Sequence, residues 1–106
     1  MAPDHAAFRS LLNLVDTGRC WVKLSAPYET SKTGAPKYED VGRLAKALVK
    51  HAPERMMWAS NWPHPSARKP APPDDVMLLD LLADWAPDAS VQKKILVDNP
   101  ARLYGF

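Results

Sequence analysis

The feature that most constrains this chain is a pair of short apolar segments, Cys20–Ala26 and Arg55–Asn61, with one strongly amphipathic stretch between them. Each reads as a strand. The first is rich in strand formers between Gly18 and Pro27; the second, Arg-Met-Met-Trp-Ala-Ser-Asn, holds weaker formers. Between them Val41, Leu44, Ala45, Leu48, Val49 and Ala52 recur at helical spacing until Pro53 stops the pattern. Strands joined by a helical crossover run parallel, and the crossover is right-handed. A parallel sheet is buried on both faces and leaves unpaired backbone groups at each edge, so two strands predict only part of a larger sheet.

The flanking segments extend the pattern. Before the first strand, Asp4 is the expected N-cap of a helix carrying Phe8, Leu11, Leu12 and Val15, ended by Gly18. After the second strand five prolines, Pro63, Pro65, Pro70, Pro72 and Pro73, fall between Trp62 and Pro73, where neither a helix interior nor a central strand tolerates them. That stretch is a loop. Asp74 then caps a helix through about Trp85, apolar over a wide arc of Val76, Met77, Leu79, Leu81 and Leu82, which calls for burial on more than one side. A last helical segment runs from Ser90 through Ile95 to Val97, with Pro100 opening a final turn.

The helix-to-strand links are short, while both strand-to-helix loops run to about a dozen residues. In βα folds the functional groups sit on that second side, at the carboxyl ends of the strands. A (β/α)8 barrel needs roughly 250 residues, so a chain of 106 supplies about two of its eight units. The expected fold class is therefore α/β: residues 1–106 as a single partial domain, the C-terminal fragment of a (β/α)8 TIM-type barrel, two parallel strands with flanking helices.

Composition excludes several classes. A charged fraction of 25% and an apolar fraction of 46% are those of an ordinary globular chain, not a disordered or fibrous one. The 14 basic and 12 acidic residues are interspersed, with no run that could track a phosphate backbone, so no nucleic-acid partner is expected. No apolar run is long enough for a membrane span, and Met1-Ala2-Pro3-Asp4-His5 lacks the pattern of an export signal. The single cysteine, Cys20, fits a reducing compartment, and the cytoplasm is expected. The three histidines include no HxH and no i, i+4 pair, so no metal site is expected on this chain. His5 and His51 lie near helix ends and read as structural or solvated.

Several polar residues fall where chemistry would sit. Strand alternation puts Trp21, Lys23 and Ser25 on one face and Val22 and Leu24 on the other. With the aliphatic face against helices, Lys23 and Ser25 point into the barrel, where an ammonium can hold a carboxylate or polarise a carbonyl. Lys23 can equally snorkel or pair with a structural carboxylate. Tyr28 follows the first strand, and its phenol either reaches a bound oxygen or covers a core edge. Asn61 and His64 stand three apart on the proline-rich loop, close enough to line one pocket, although a lone loop histidine is often solvated or bracing. Trp62 is the better of two nearby tryptophans for a pocket wall. Lys32, Lys37, Arg68 and Lys69 give the loop end a mild positive bias.

Trp21-Val22-Lys23-Leu24-Ser25, then Trp58-Ala59-Ser60-Asn61-Trp62-Pro63-His64-Pro65, and finally Asp98-Asn99-Pro100-Ala101-Arg102-Leu103-Tyr104-Gly105-Phe106 together resemble the C-terminal part of the amidohydrolase-related family, in its 2-pyrone-4,6-dicarboxylate hydrolase and sugar-lactonase branch. The resemblance implies a distorted barrel with a hydrolytic site at its C-terminal face. The family's early histidine motifs have no counterpart here. Where the family usually carries an aspartate as general base, this chain has Asn61. An amide has no basic site near neutral pH and orients water only by hydrogen bonds; a lost general base forfeits a factor of about 10² to 10⁴. In dicarboxylate-hydrolysing relatives an arginine tends to follow the tyrosine, whereas here Glu29 does, which argues against a dicarboxylate and leaves neutral lactones or other esters open.

The resemblance thus implies a hydrolase that directs water onto a lactone or related carbonyl, with Asn61 and His64 catalytic and Lys23, Ser25, Tyr28 and Trp62 binding a small-molecule carboxylate or lactone. It implies no cofactor on this chain and leaves a divalent metal in the complete barrel open. The unpaired edges imply self-association or a chain supplying the missing units. Two other readings stand beside it: a non-catalytic remnant acting as an interaction module, and a lactone isomerase on the same scaffold.

Overall fold

A computed structural model describes residues 1–106. The first helix, α1 (Ala6–Asp16), opens one residue later than Asp4 would place it: His5 is extended, and its Nδ1 accepts from the Ala7 N–H at 3.0 Å. Phe8 and Val15 are buried from it, and Leu11 and Leu12 pack beside them. Gly18, at φ 75, releases the chain toward β1 (Val22–Leu24). The guanidinium of Arg55 lies over the Trp21 ring, 3.9 Å from its centroid, and donates to the carbonyls of Cys20 and Gly18, tying the approach to β1 to that of β2. Cys20 is a free thiol, half-buried rather than enclosed.

Helix α2 (Glu39–His51) carries Ala45, Leu48 and Val49 into the core, and Ala52 ends it, also buried. A short turn over Pro53–Arg55 delivers β2 (Met56–Trp58). The strands are parallel, with Val22 opposite Met56, Lys23 opposite Met57 and Leu24 opposite Trp58. The ladder is three residues long where the sequence predicts seven, because each strand has one neighbour and the backbone soon leaves the extended region, at Ala26 (φ 50) and Asn61 (φ 63).

Asp74 caps α3 (Asp75–Trp85) by accepting from the Val76 N–H at 2.8 Å, as its position predicts. The apolar arc of that helix is only partly covered. Leu81 and Leu82 are buried together with Leu78 and Trp85, while Val76, Met77 and Leu79 face outward, Val76 at 68% exposure. The chain closes with α4 (Ala89–Lys93), capped by Asp88, a wider turn over Lys94–Asp98, and α5 (Asn99–Tyr104), ended by Gly105 at φ 79. Pro100 explains the widening: it lacks an N–H and its ring crowds the carbonyl four residues back, so the Asn99 N–H bonds to the Lys94 carbonyl instead. Asn99 is buried, and its Nδ2 donates to the carbonyls of Pro53 and Met56, at 2.8 Å each, fastening the C-terminal segment to the start of β2. No helix is long and apolar enough to cross a membrane.

Candidate functional site

The two turns leaving the carboxyl ends of β1 and β2 meet. Pro27–Glu29 forms a tight helical turn after β1 and presents Tyr28; the Ser60–His64 segment after β2 presents Asn61 and His64. Ala26, Asn61 and His64 all have left-handed backbones, φ 50, 63 and 56. Such conformations cost non-glycine residues on the order of 1–3 kcal/mol and cluster at functional sites. Here they turn the chain sharply enough to bring the three side chains together.

Asn61 Nδ2 donates to Tyr28 Oη at 2.9 Å, Tyr28 Oη lies 2.8 Å from His64 Nδ1, and His64 Nε2 lies 2.7 Å from Asp75 Oδ1. The Tyr28 and His64 rings meet edge to face with centroids 5.7 Å apart. The His64 backbone closes the turn, its N–H on the Asn61 carbonyl at 2.8 Å and its carbonyl taking the Ala67 N–H at 3.0 Å. Ser66 Oγ donates to the Glu29 carboxylate, bracing one strand-end loop against the other, and Arg68 donates to the Pro63 carbonyl at 2.7 Å within the second loop.

Three of the residues singled out in the sequence, Asn61, Tyr28 and His64, thus share one network. His64 is only 1% exposed. It is enclosed rather than facing a pocket, so within this chain it acts on its neighbours and not on solvent. Lys23 is exposed and Ser25 half-buried, and both line an apolar cavity of about 200 Å³ along β1, α1 and α2, apart from the network. Trp62 walls no cavity; it is 72% exposed, with its N–H on Ser60 Oγ. The largest cavity, about 440 Å³, is also elsewhere, polar and lined by Lys37, Glu39, Arg43, Lys46 and Asp84 among others. Of the loop cations, Arg68 is engaged and Lys37 belongs to that distant groove. Glu29 is held by Ser66 rather than free.

Asp75 completes the network, and sequence reasoning passed over it. The only signal is the Asp74-Asp75 pair, of which one caps α3 and the other turns to the histidine. Nearby, donors from Ser31, the Lys32 N–H, Thr33 and the Val41 N–H hold the Asp40 carboxyl well below the usual carboxylate range, pinning the loop after Tyr28 to the start of α2. Burial, and secondarily the Tyr28 phenol, push the Tyr38 phenol upward. Both ring nitrogens of His64 are committed and Asn61 offers only an amide, so these residues do not make up a metal-ligand set; no cluster of three or more His, Cys, Asp or Glu does so elsewhere in the chain.

Comparison with known proteins shows what the chain is similar to. The amidohydrolase family model matches residues 2–106. D-galactarolactone isomerase from Agrobacterium fabrum is 40% identical over 102 residues, covering 95% of this chain and 35% of that protein. A 4-sulfomuconolactone hydrolase from Rhizobium radiobacter is 46% identical over 103 residues, covering 96% of this chain and 34% of the relative. An apo crystal structure from Agrobacterium tumefaciens superposes with a TM-score of 0.90 at 37% identity, covering 100% of this chain and 37% of that one. The chain spans about a third of the length of the curated relatives it matches. Over that third, the two parallel strands and their helices are those of a solved relative, and the chain belongs to the amidohydrolase family.

Proposed function

We propose that this chain forms the last βα units of a (β/α)8 barrel and contributes the substrate-orienting edge of a lactone-hydrolysing site. The observation that carries the reading is the Asn61 amide, fixed at the carboxyl end of β2 by Tyr28, which the buried His64 holds in turn. Fixed polar groups at that end of the strands are where βα folds place their chemistry. The relatives' names, a lactone isomerase and a sulfomuconolactone hydrolase, support a lactone as the substrate class.

Asn61 orients and does not abstract a proton, because a carboxamide lacks a basic site. In this reading water adds to the lactone carbonyl, the ring C–O bond breaks to give a hydroxy acid, and the base that takes the water proton comes from the remainder of the barrel. His64 is a positioning residue behind Tyr28. Glu29 beside Tyr28 disfavours a substrate carboxylate there, so a neutral lactone fits better than a dicarboxylate. The unpaired outer edges of β1 and β2 are met by a chain carrying the other units or by a second copy.

The test grafts this chain in place of the matching third of the Rhizobium radiobacter relative, which is named a lactone hydrolase, and follows a panel of lactones with product identification. Turnover to the hydroxy acid is expected, with Asn61→Ala lowering kcat/KM by roughly 10- to 100-fold, the range for a lost substrate hydrogen bond. An isomerised lactone as product would select the isomerase reading instead. A cooperatively folded chimera without turnover, or one indifferent to Asn61→Ala, would remove Asn61 from the site.

A further inference from the structure

We infer that Asp75 is a positioning residue that decides, through His64 and Tyr28, which end of the Asn61 amide faces the substrate. The inference rests on the proposed role of Asn61 and names the group that sets its polarity. Asp75 is the first residue of α3, where a helix favours negative charge, and its Oδ1 lies 2.7 Å from His64 Nε2. A carboxylate only accepts, so Nε2 carries the hydrogen, and a ring with a single hydrogen presents a bare Nδ1. Tyr28 Oη, 2.8 Å from that nitrogen, donates to it. The phenol oxygen is left to accept, and Asn61 Nδ2 at 2.9 Å donates. Donation therefore runs one way, from Asn61 to Tyr28 to His64 to Asp75.

The free end of this chain of bonds is Asn61 Oδ1, which takes no hydrogen bond from the protein and belongs to a half-exposed residue. It is an acceptor, suited to a water or a substrate hydroxyl. Without an acceptor at position 75, the ring is free to carry its hydrogen on Nδ1 and donate to Tyr28. Tyr28 would then donate to Asn61 Oδ1, and the amide would present Nδ2 outward, a donor suited to a carbonyl oxygen. The two orders use the same residues and the same number of bonds among Asn61, Tyr28 and His64. What separates them is the charge-assisted bond to Asp75, the stronger kind. His64 is only 1% exposed, so in the folded chain its two ring nitrogens are served by Tyr28 and Asp75. A purely bracing role would be served by either order; only a site that reads the Asn61 amide distinguishes them.

The test reads the tautomer directly and needs no substrate, so it stands apart from the lactone reading. His5→Ser keeps a good N-cap on α1 and His51→Gln alters an exposed pair with Asp16, leaving His64 as the sole imidazole of the full chain. Long-range proton–nitrogen correlation of the ¹⁵N-labelled chain then shows which ring nitrogen is protonated. The hydrogen is expected on Nε2. Asp75→Ala is expected to shift the Nε2–H to Nδ1–H ratio toward Nδ1–H by roughly tenfold or more, the scale of one charge-assisted bond. Tyr28→Phe, which leaves Asp75 in place, is expected to keep the hydrogen on Nε2. A hydrogen on Nδ1 in the parent chain, or an unchanged ratio in a folded Asp75→Ala chain, overturns the proposal. If Asp75→Ala does not fold, the parent and Tyr28→Phe still decide: a hydrogen that moves to Nδ1 on Tyr28→Phe assigns the control to Tyr28 and not to Asp75.

Discussion

Asn99→Ala isolates the contact that ties the C-terminal helices to the sheet. The Asn99 side chain is 4% exposed and makes two hydrogen bonds of 2.8 Å, to the carbonyls of Pro53 and Met56. Each such bond contributes a net ~1 kcal/mol, and a buried acceptor left without a partner costs a further ~1–3 kcal/mol. Pro53 is half-exposed and its carbonyl can find water; Met56 is fully buried and its carbonyl cannot. One orphaned acceptor plus two lost bonds gives about 3–5 kcal/mol, a large part of the 5–15 kcal/mol typical of a native domain. The melting temperature of a chain this size should fall by on the order of 10–20 °C. Urea unfolding followed by tryptophan fluorescence and circular dichroism reads the loss as a lowered midpoint at unchanged slope. Asn99→Asp should be at least as harmful, because it removes both donors and turns a carboxylate toward two carbonyls. Asp98→Ala, which breaks only an exposed pair with Lys93, should cost no more than about 0.5 kcal/mol. An Asn99→Ala loss as small as that of Asp98→Ala would refute the reasoning: the C-terminal segment would then be held by packing alone.

Two further outcomes follow from the charges and the exposed faces. Asp40 is ionised well below its ordinary value of 3.8, so its stabilising contribution is present above that pH and is lost as pH falls through the folded-state value. An acid titration of stability should therefore show a slope below about pH 4 that Asp40→Asn flattens, and identical slopes would dismiss the loop clamp. Val76 and Met77 are 68% and 50% exposed, and a mutual burial of such side chains is worth roughly 1.5–3 kcal/mol each. Val76→Ser with Met77→Ser should shift the mass seen by light scattering toward monomer, and an unchanged oligomer would place self-association on another face.

The elements were legible in the sequence because their signals are local. The α2 stripe, the Asp74 cap and the parallel crossover depend on spacing and handedness alone, and each stands where the residues predict. Strand length was not legible: a seven-residue apolar run describes what can pair, and the ladder stops at three where Ala26 and Asn61 turn left-handed. The arc on α3 is covered only in part within this chain for a related reason. Hydrophobicity marks Val76, Met77 and Leu79 as able to be buried, but what covers them is not in these residues.

The candidate site divides along the same line. Tyr28, Asn61 and His64 could be picked out because turns after strand ends are where βα folds present polar groups, and all three lie on such turns. Their mutual contacts depend on three left-handed residues that no local rule assigns to Ala26 or His64. Asp75 is the hardest case. Asp74 and Asp75 are chemically identical neighbours at one helix start, and a capping rule can use only one of them. Which acceptor meets His64 depends on how a loop with five prolines returns from Pro63 to Pro73, and so on where α3 begins relative to the imidazole. Starting the helix one residue later would make Asp75 the cap and put Val76 in its present place, leaving the histidine without its carboxylate. The cap is therefore readable from sequence, whereas the polarity of the Asn61–Tyr28–His64 network is a property of the folded loop alone.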